Sequence, residues 1–296
     1  MSQQILIIGA GGRLGSVLNH RLAARQPTIA LDHIDLDLGS LSAVNRSLRT
    51  LDFTHAVITA ALTAVDYCEA NSEQAFAVNA AAPGLIAEIA AEKGAHVTYI
   101  STDMVFDGLK NSAYTECDDA NPVSVYGASK LDGENRVLTA SAGNLVARIS
   151  WVFGPNRPAF PEWIIRQARM KPDITLPGDK TGNPTFTMDL IEWLDALVFL
   201  KPGQPAGGVY HLCNSNPCTW RDWGQSCIDT AREAGIPLLA GEIRGVPVAS
   251  VDAFVAKRPP NSALSTEKFT RMTGIRPRPW QEAIREHVMQ AASTIS

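Results

Sequence analysis

Ile5-Leu6-Ile7-Ile8-Gly9-Ala10-Gly11-Gly12-Arg13-Leu14-Gly15 is the stretch whose reading decides the architecture. Four apolar residues without alternation suit a strand buried on both faces and are too few to span a membrane. Glycines follow at once and permit a tight turn, after which Val17, Leu18, Leu22 and Ala23 recur at the spacing of one helix face. Strand, glycine turn and helix in this order form a cradle for a pyrophosphate. With no side chains in the way, backbone N–H groups can approach the phosphates, and the helix N-terminus adds partial positive charge. The candidate cofactor-binding residues of the turn are Gly9, Gly12, Arg13, Leu14 and Gly15. Their spacing is Gly9-x-x-Gly12-x-x-Gly15, with Leu14 at the third glycine of the strict G-x-G-x-x-G form. A purely structural loop therefore stays open on the turn alone.

Outward from this turn, strand-like and helix-like segments alternate. Residues 28–31, 55–60, 97–101 and 145–149 read as strands, and 72–93, rich in alanine and punctuated by Pro83, and 123–140 read as the clearest helices. The alternation predicts an α/β fold with a doubly wound parallel (Rossmann) sheet, covered on both faces and binding ligands at the carboxyl ends of its strands. The second half is more irregular, broken at Gly154-Pro155-Asn156-Arg157-Pro158, Lys171-Pro172-Asp173 and Lys201-Pro202-Gly203-Gln204-Pro205. A helix over 187–200 and a strand over 208–212 can rejoin the main sheet, while 220–234 and 280–292 read as amphipathic helices. The expected division is a dinucleotide-binding domain over 1–152, with returning segments near 187–214, and a smaller, discontinuous substrate-binding lobe over 153–296.

Composition narrows the function classes. With 296 residues, 26 Lys and Arg against 30 Asp and Glu, and a formal charge of -4, the chain has no basic footprint for nucleic acid. No leader is recognisable in Met1-Ser2-Gln3-Gln4, and no apolar stretch reads as long enough to cross a bilayer. Cys68, Cys117, Cys213, Cys218 and Cys227 are odd in number and lack paired C-x-x-C spacing, and the histidines form no H-E-x-x-H motif. We read a cytoplasmic protein with reduced thiols, no metal site, and no nucleic-acid or membrane partner.

Chemistry concentrates at Tyr126-Gly127-Ala128-Ser129-Lys130, with Ser101-Thr102-Asp103 upstream. On a helix, Tyr126 and Lys130 lie one turn apart on one face and can act on the same molecule. A free tyrosine, with a pKa near ~10, is a poor proton donor at neutrality, and a nearby cation favours phenolate and lowers that value. Thr102 is placed just past one strand, and Tyr126 early in the helix that precedes the next. Asp32, closing the second strand, suits a ribose 2′-hydroxyl and favours NAD(H), whereas Arg13 suits the 2′-phosphate of NADP(H). The balance favours NADP(H), with NAD(H) tolerated.

Taken together, these segments resemble the extended short-chain dehydrogenase/reductase family, and within it the dTDP-4-dehydrorhamnose reductases. The resemblance rests on residues 9–15, on Ala60-Ala61-Leu62-Thr63-Ala64-Val65-Asp66 and on Ala77-Val78-Asn79-Ala80. It continues through Ser101-Thr102-Asp103-Met104-Val105-Phe106-Asp107-Gly108, the Tyr126 to Lys130 run, Arg148-Ile149-Ser150-Trp151-Val152-Phe153, Gly182-Asn183-Pro184-Thr185 and Arg258-Pro259-Pro260-Asn261-Ser262. It implies hydride reduction of the 4-keto group of a nucleotide-linked 6-deoxy sugar, with dTDP-4-dehydro-L-rhamnose giving dTDP-L-rhamnose. It also implies catalytic roles for Thr102 (carbonyl hydrogen bond), Tyr126 (proton donor) and Lys130 (electrostatic bias and nicotinamide ribose). Asp37 and Leu38 would lie beside the adenine, and Ala60, Ala61 and Asn79 would complete the cofactor site. Val65, Met104, Trp151 and Arg258 would face the substrate.

Several of these roles have plain alternatives. Trp151 suits a sugar-facing platform or a core position, Val65 a pocket wall or packing, and Arg258 the substrate diphosphate or a solvated surface. Met104 departs from the family, which usually has tyrosine after Ser-Thr-Asp. The lost hydrogen bond, worth about 0.5–1.5 kcal/mol, can shift sugar preference without abolishing carbonyl reduction. Two rival readings share the fold: a non-catalytic NADP-binding regulatory subunit similar to the β subunit of methionine adenosyltransferase, and a nucleotide-sugar epimerase holding NAD. A homodimer is one assembly the chain could form.

Overall fold

A computed structural model describes residues 4–199, 206–251 and 254–295. The first half runs β1 (Ile5–Ile8), α1 (Arg13–Ala23), β2 (Thr28–Leu31), α2 (Leu41–Thr50), β3 (His55–Ile58), α3 (Val65–Ala70), α4 (Ser72–Phe76), α5 (Ala82–Glu92), β4 (His96–Thr102), α6 (Val125–Ala140) and β5 (Leu145–Ile149). The second half holds β6 (Val152–Phe153), α7 (Phe160–Met170), β7 (Ile174–Pro177), β8 (Thr181–Gly182), β9 (Thr185–Phe186), α8 (Thr187–Leu194) and β10 (Gly208–His211). It ends with β11 (Cys218–Thr219), α9 (Trp220–Glu233), β12 (Ile243–Val246), α10 (Glu267–Thr273) and α11 (Trp280–Ile295). The segment 201–205, read as a turn, lies outside the described residues, as does Leu200.

Six strands form one sheet in the order β10-β5-β4-β3-β1-β2, all parallel. The unbroken apolar run of β1 is explained by burial on both sides. Ile5 and Ile7 face a core built with Leu14, Leu18 and Leu22 of α1 and Leu190 and Leu194 of α8. Leu6 and Ile8 face another, built with Val44 and Leu48 of α2 and Ile86, Ala87 and Ala90 of α5. Each fully buried aliphatic side chain contributes about 1.5–3 kcal/mol, so a polar residue in β1 would weaken both layers. A third core, with Phe153, Ile164, Trp223, Ile228 and Ile284, lies beyond β5 in chain order and holds β6, α7, α9 and α11 together.

Boundaries moved where hydrogen bonding decides them. Thr102 is the last residue of β4, paired with Ile149, not a residue past the strand. The helix expected from residue 123 starts at Val125, because Ser124 is its N-cap and accepts from the Gly127 N–H at 3.2 Å. Ser72–Glu92 is one helical run with a π-turn at Ala77–Ala81. Pro83 has no N–H to offer the Asn79 carbonyl, and the Tyr99 hydroxyl donates to that oxygen at 2.5 Å. By length and composition this run could cross a membrane, which corrects the expectation that no stretch could. Its apolarity has another use: Ala75, Ala80, Ala82, Ile86, Ala87, Ile89 and Ala90 are buried inside the fold.

Candidate active site

A cavity of about 810 Å³ runs along the carboxyl ends of the strands from the glycine turn to Tyr126. Its first wall is the turn itself. Gly9 has φ +95, and a Cβ there would meet the Ala60 nitrogen at 2.5 Å, so the β1 and β3 ends touch only because Gly9 has no side chain. Gly12 caps α1 without a side-chain bond, so the first-turn N–H groups are left for a ligand beside Gly12, Arg13 and Leu14. Gly15 does not line the cavity. A Cβ there would lie 2.1 Å from the Gly9 carbonyl oxygen, so its role is close helix–strand packing.

Asp32, Asp37 and Leu38 form the end of the cavity beyond β2. Asp32 accepts from the Ile34 N–H at 2.7 Å and Asp37 from the Gly39 N–H at 2.8 Å, which fixes both carboxylates. Arg13 turns the other way. Its guanidinium donates to the carbonyls of Pro158 (2.6 Å), Arg157 (3.4 Å) and Val152 (3.5 Å), all after β5, three strands from β1. The sequence had matched Arg13 to a 2′-phosphate, which belongs near the end of β2. Here it instead straps the 152–158 loop to the glycine turn.

The chemical end is formed by β4, β5 and α6. Thr102, Met104, Tyr126, Lys130 and Trp151 all line the cavity. Gly127 permits this approach: a Cβ there would stand 2.1 Å from the Met104 carbonyl oxygen, so any larger residue would push α6 away from the Thr102 turn. Tyr126 is buried, and burial raises its phenol above the usual tyrosine range, with the nearby Thr102 hydroxyl opposing. Lys130 Nζ is turned toward β4, donating to the Ile100 carbonyl at 2.6 Å and lying 3.8 Å from the centre of the Tyr99 ring. Burial lowers Lys130 itself to about 7, opposed by Glu134. At neutral pH Tyr126 is thus a phenol with a proton to give.

Thr102 Oγ1 donates to Asp103 Oδ1 at 3.0 Å and accepts from the Met104 N–H. A hydroxyl has one proton, so Thr102 can donate to a substrate carbonyl only by rotating away from Asp103. The sequence reading missed Asp103, although it completes the Ser-Thr-Asp motif. The residue lines the cavity, and burial raises its pKa, with Lys180, Ser262 and Thr102 opposing. Arg157 also lines the cavity, and its loop carried no chemical signal in the sequence.

Trp151 has φ +43, an unusual backbone for a bulky residue, and its indole stacks on Trp223 with ring centres 5.5 Å apart. It therefore packs against the lobe and lines the cavity at once. Val65 lines the cavity and also packs with Cys68, Met104 and Tyr126. Ala60 and Ala61 line it as well. Asn79 and Arg258 do not. Asn79 is fully buried and braces the β3 end, accepting from the Leu62 N–H at 2.8 Å and donating to the Leu62 carbonyl and Ser129 Oγ. Arg258 pairs with Asp66 of α3 at 2.6 Å and lies over the Phe254 ring, holding the 254–258 segment to α3. That hydrogen bond holds the Asp66 carboxyl well below the usual range.

A parallel sheet with a glycine turn after β1, and a Tyr-x-x-x-Lys helix whose phenol and amine share a cavity with that turn, define an extended short-chain dehydrogenase/reductase. The family model described as RmlD substrate binding domain matches residues 3–293, and the chain belongs to that family. It is 33% identical over 295 residues to a dTDP-4-dehydrorhamnose reductase of Salmonella typhimurium, covering 98% of each chain. Among solved structures, it is similar to a dTDP-4-dehydrorhamnose reductase from Bacillus anthracis in complex with NADP (TM-score 0.89, 26% identity, 98% of this chain and 100% of that one). The Clostridium acetobutylicum ortholog gives a TM-score of 0.88 at 30% identity, over 97% of this chain and 98% of that one.

Proposed function

We propose that the protein is an NADPH-dependent reductase, tolerant of NADH, that reduces the 4-keto group of a nucleotide-linked 6-deoxy sugar, converting dTDP-4-dehydro-L-rhamnose to dTDP-L-rhamnose. The observation that carries this reading is that Thr102, Tyr126 and Lys130 share one cavity with the Gly9–Leu14 turn. Relatives named as reductases favour net reduction over the binding-subunit and epimerase readings.

The residues present fit a dinucleotide. The first-turn N–H groups beside Gly12, Arg13 and Leu14 suit the pyrophosphate, Asp32, Asp37 and Leu38 suit the adenosine end, and Ala60 and Ala61 admit it closely for want of bulk. When bound, the reduced nicotinamide supplies the hydride for the carbonyl carbon. Lys130 Nζ, two strands from the turn, would release the Ile100 carbonyl to hold ribose hydroxyls. Tyr126 would protonate the sugar oxygen as negative charge develops there. An alkoxide is a far stronger base than a phenolate, so the transfer runs downhill even from a phenol raised by burial. Thr102 would orient the same oxygen. Trp151, Val65 and Met104 would wall the sugar.

We assign the cofactor to 1–152 with returning segments near 187–214, and the covering of the sugar mainly to 153–296. In support, β10 and α8 pack with the central sheet, while Phe153, Ile164, Trp223 and Ile284 share a separate core. A cytoplasmic location belongs to the same reading, and five cysteines without a disulfide agree with it. The test is loss of absorbance at 340 nm when purified protein, NADPH or NADH, and a panel of nucleotide-linked 4-ketosugars are mixed. Decay with the dTDP-linked sugar supports the assignment; no decay with any sugar overturns it.

A further inference from the structure

Behind the proposed catalytic residues lies a buried charge network with no place in the reaction so far. Glu134, 1% exposed, follows Lys130 by one turn of α6. Arg148 of β5 holds both its oxygens, Nε at 3.0 and 3.1 Å and Nη2 at 2.6 Å, and Ser101 of β4 donates to Glu134 Oε1 at 2.5 Å. Ser101 and Arg148 are themselves cross-strand partners in the β4–β5 ladder. One carboxylate thus ties together three elements: β4, which ends in Thr102; β5, which leads to Trp151; and α6, which carries Tyr126 and Lys130.

Two uncharged residues would have served if packing were the only need, since a buried ion pair rarely stabilises a fold more than well-packed apolar side chains do. What a carboxylate adds here is a field. The neighbours of the Lys130 amine are the Tyr99 ring, with its centre 3.8 Å from Nζ, and the Ile100 carbonyl on β4; Tyr126 shares its cavity, and Glu134 follows one turn along α6. Glu134 is the charged one among them, and it opposes the effect of burial on Lys130. We propose that Glu134 is a positioning residue: clamped by Arg148 and Ser101, it fixes α6 against β4 and β5 and places a negative charge one helical turn from Lys130, favouring the ammonium where it meets the cofactor ribose.

The proposal rests on the reductase reading for its cofactor but not for its readout, which is NADPH binding in the absence of sugar. Fluorescence titration of NADPH at a series of pH values should show affinity falling as Lys130 loses its proton, with an inflection near its pKa of about 7. In Glu134→Gln the inflection should move about one unit lower, because an opposing charge a few ångström away has been removed. That variant leaves Arg148 buried without its carboxylate and can fail to fold, so Glu134→Gln/Arg148→Gln, which removes both charges, is measured beside it. A lower inflection in either folded variant supports the proposal. An inflection at the wild-type pH, or failure of both variants to fold, overturns it and assigns the network to stability alone. Absence of sugar reduction by the wild type would overturn the reductase reading and leave this result standing.

Discussion

Replacing Lys130 by methionine should stabilise the protein near neutrality while removing its activity. The amine is 1% exposed, and burial lowers it from 10.5 to about 7. A gap of about 3.5 units is worth about 5 kcal/mol against folding with the charge in place. The unfolded chain keeps this proton up to its ordinary pKa, and the folded chain releases it above about 7. Wild-type stability should therefore rise with pH across that window, by up to about 1.4 kcal/mol per unit; the penalty is complete below it and gone above it. Methionine matches the length of the stem but forfeits the bond to Ile100 and the contact with Tyr99, together about 2 kcal/mol. The net expectation is a gain of about 3 kcal/mol near pH 6.5, shrinking to about nothing near pH 9.5. Urea unfolding followed by tryptophan fluorescence at both pH values measures it. Lys180, also lowered by burial, titrates in both proteins and cancels from the difference. A variant whose stability tracks the wild type in parallel across this range would refute the reasoning.

Two further substitutions probe the site. Tyr126→Phe should bind NADPH as the wild type does and lose turnover by about 10²–10⁴-fold, as expected for removal of a general acid; a wild-type kcat would remove Tyr126 from that role. Gly15→Ala drives a methyl to within 2.1 Å of the Gly9 carbonyl. It should lower stability by about 1–3 kcal/mol and weaken NADPH binding together, because both depend on the turn's shape. An unchanged melting temperature and Kd would show that the turn is not held by this contact.

The glycine turn and the strands were legible because their constraints are local. An unbroken apolar run needs two covered faces, and only glycine lets β1, β3 and α1 approach as closely as they do at Gly9 and Gly15. Tyr126, Lys130 and Thr102 were legible for a similar reason, since one helical turn and one strand end place them. Side-chain direction was not. Arg13, placed by the glycine turn, and Arg258, placed by the resemblance, are cations whose forks fit a phosphate, yet each is engaged by partners far along the chain, at 152–158 and at Asp66. Asn79 was matched to the cofactor but braces the Leu62 backbone, which no spacing rule displays. For Tyr126 a pairwise argument counts the cation and omits burial, which acts the other way and more strongly. The helix at 72–92 shows the same limit: a helix buried in a soluble-type core and one buried in lipid share a composition, and only packing separates them.

The central claim, direct hydride transfer onto the 4-position of a nucleotide-linked sugar, is tested most directly with NADPH deuterated on its transferable position. After incubation with dTDP-4-dehydro-L-rhamnose, the account predicts a product heavier by one deuterium, bonded at C4, formed mole for mole with oxidised cofactor. Unlabelled product with the cofactor unconsumed, or no product at all, would contradict it.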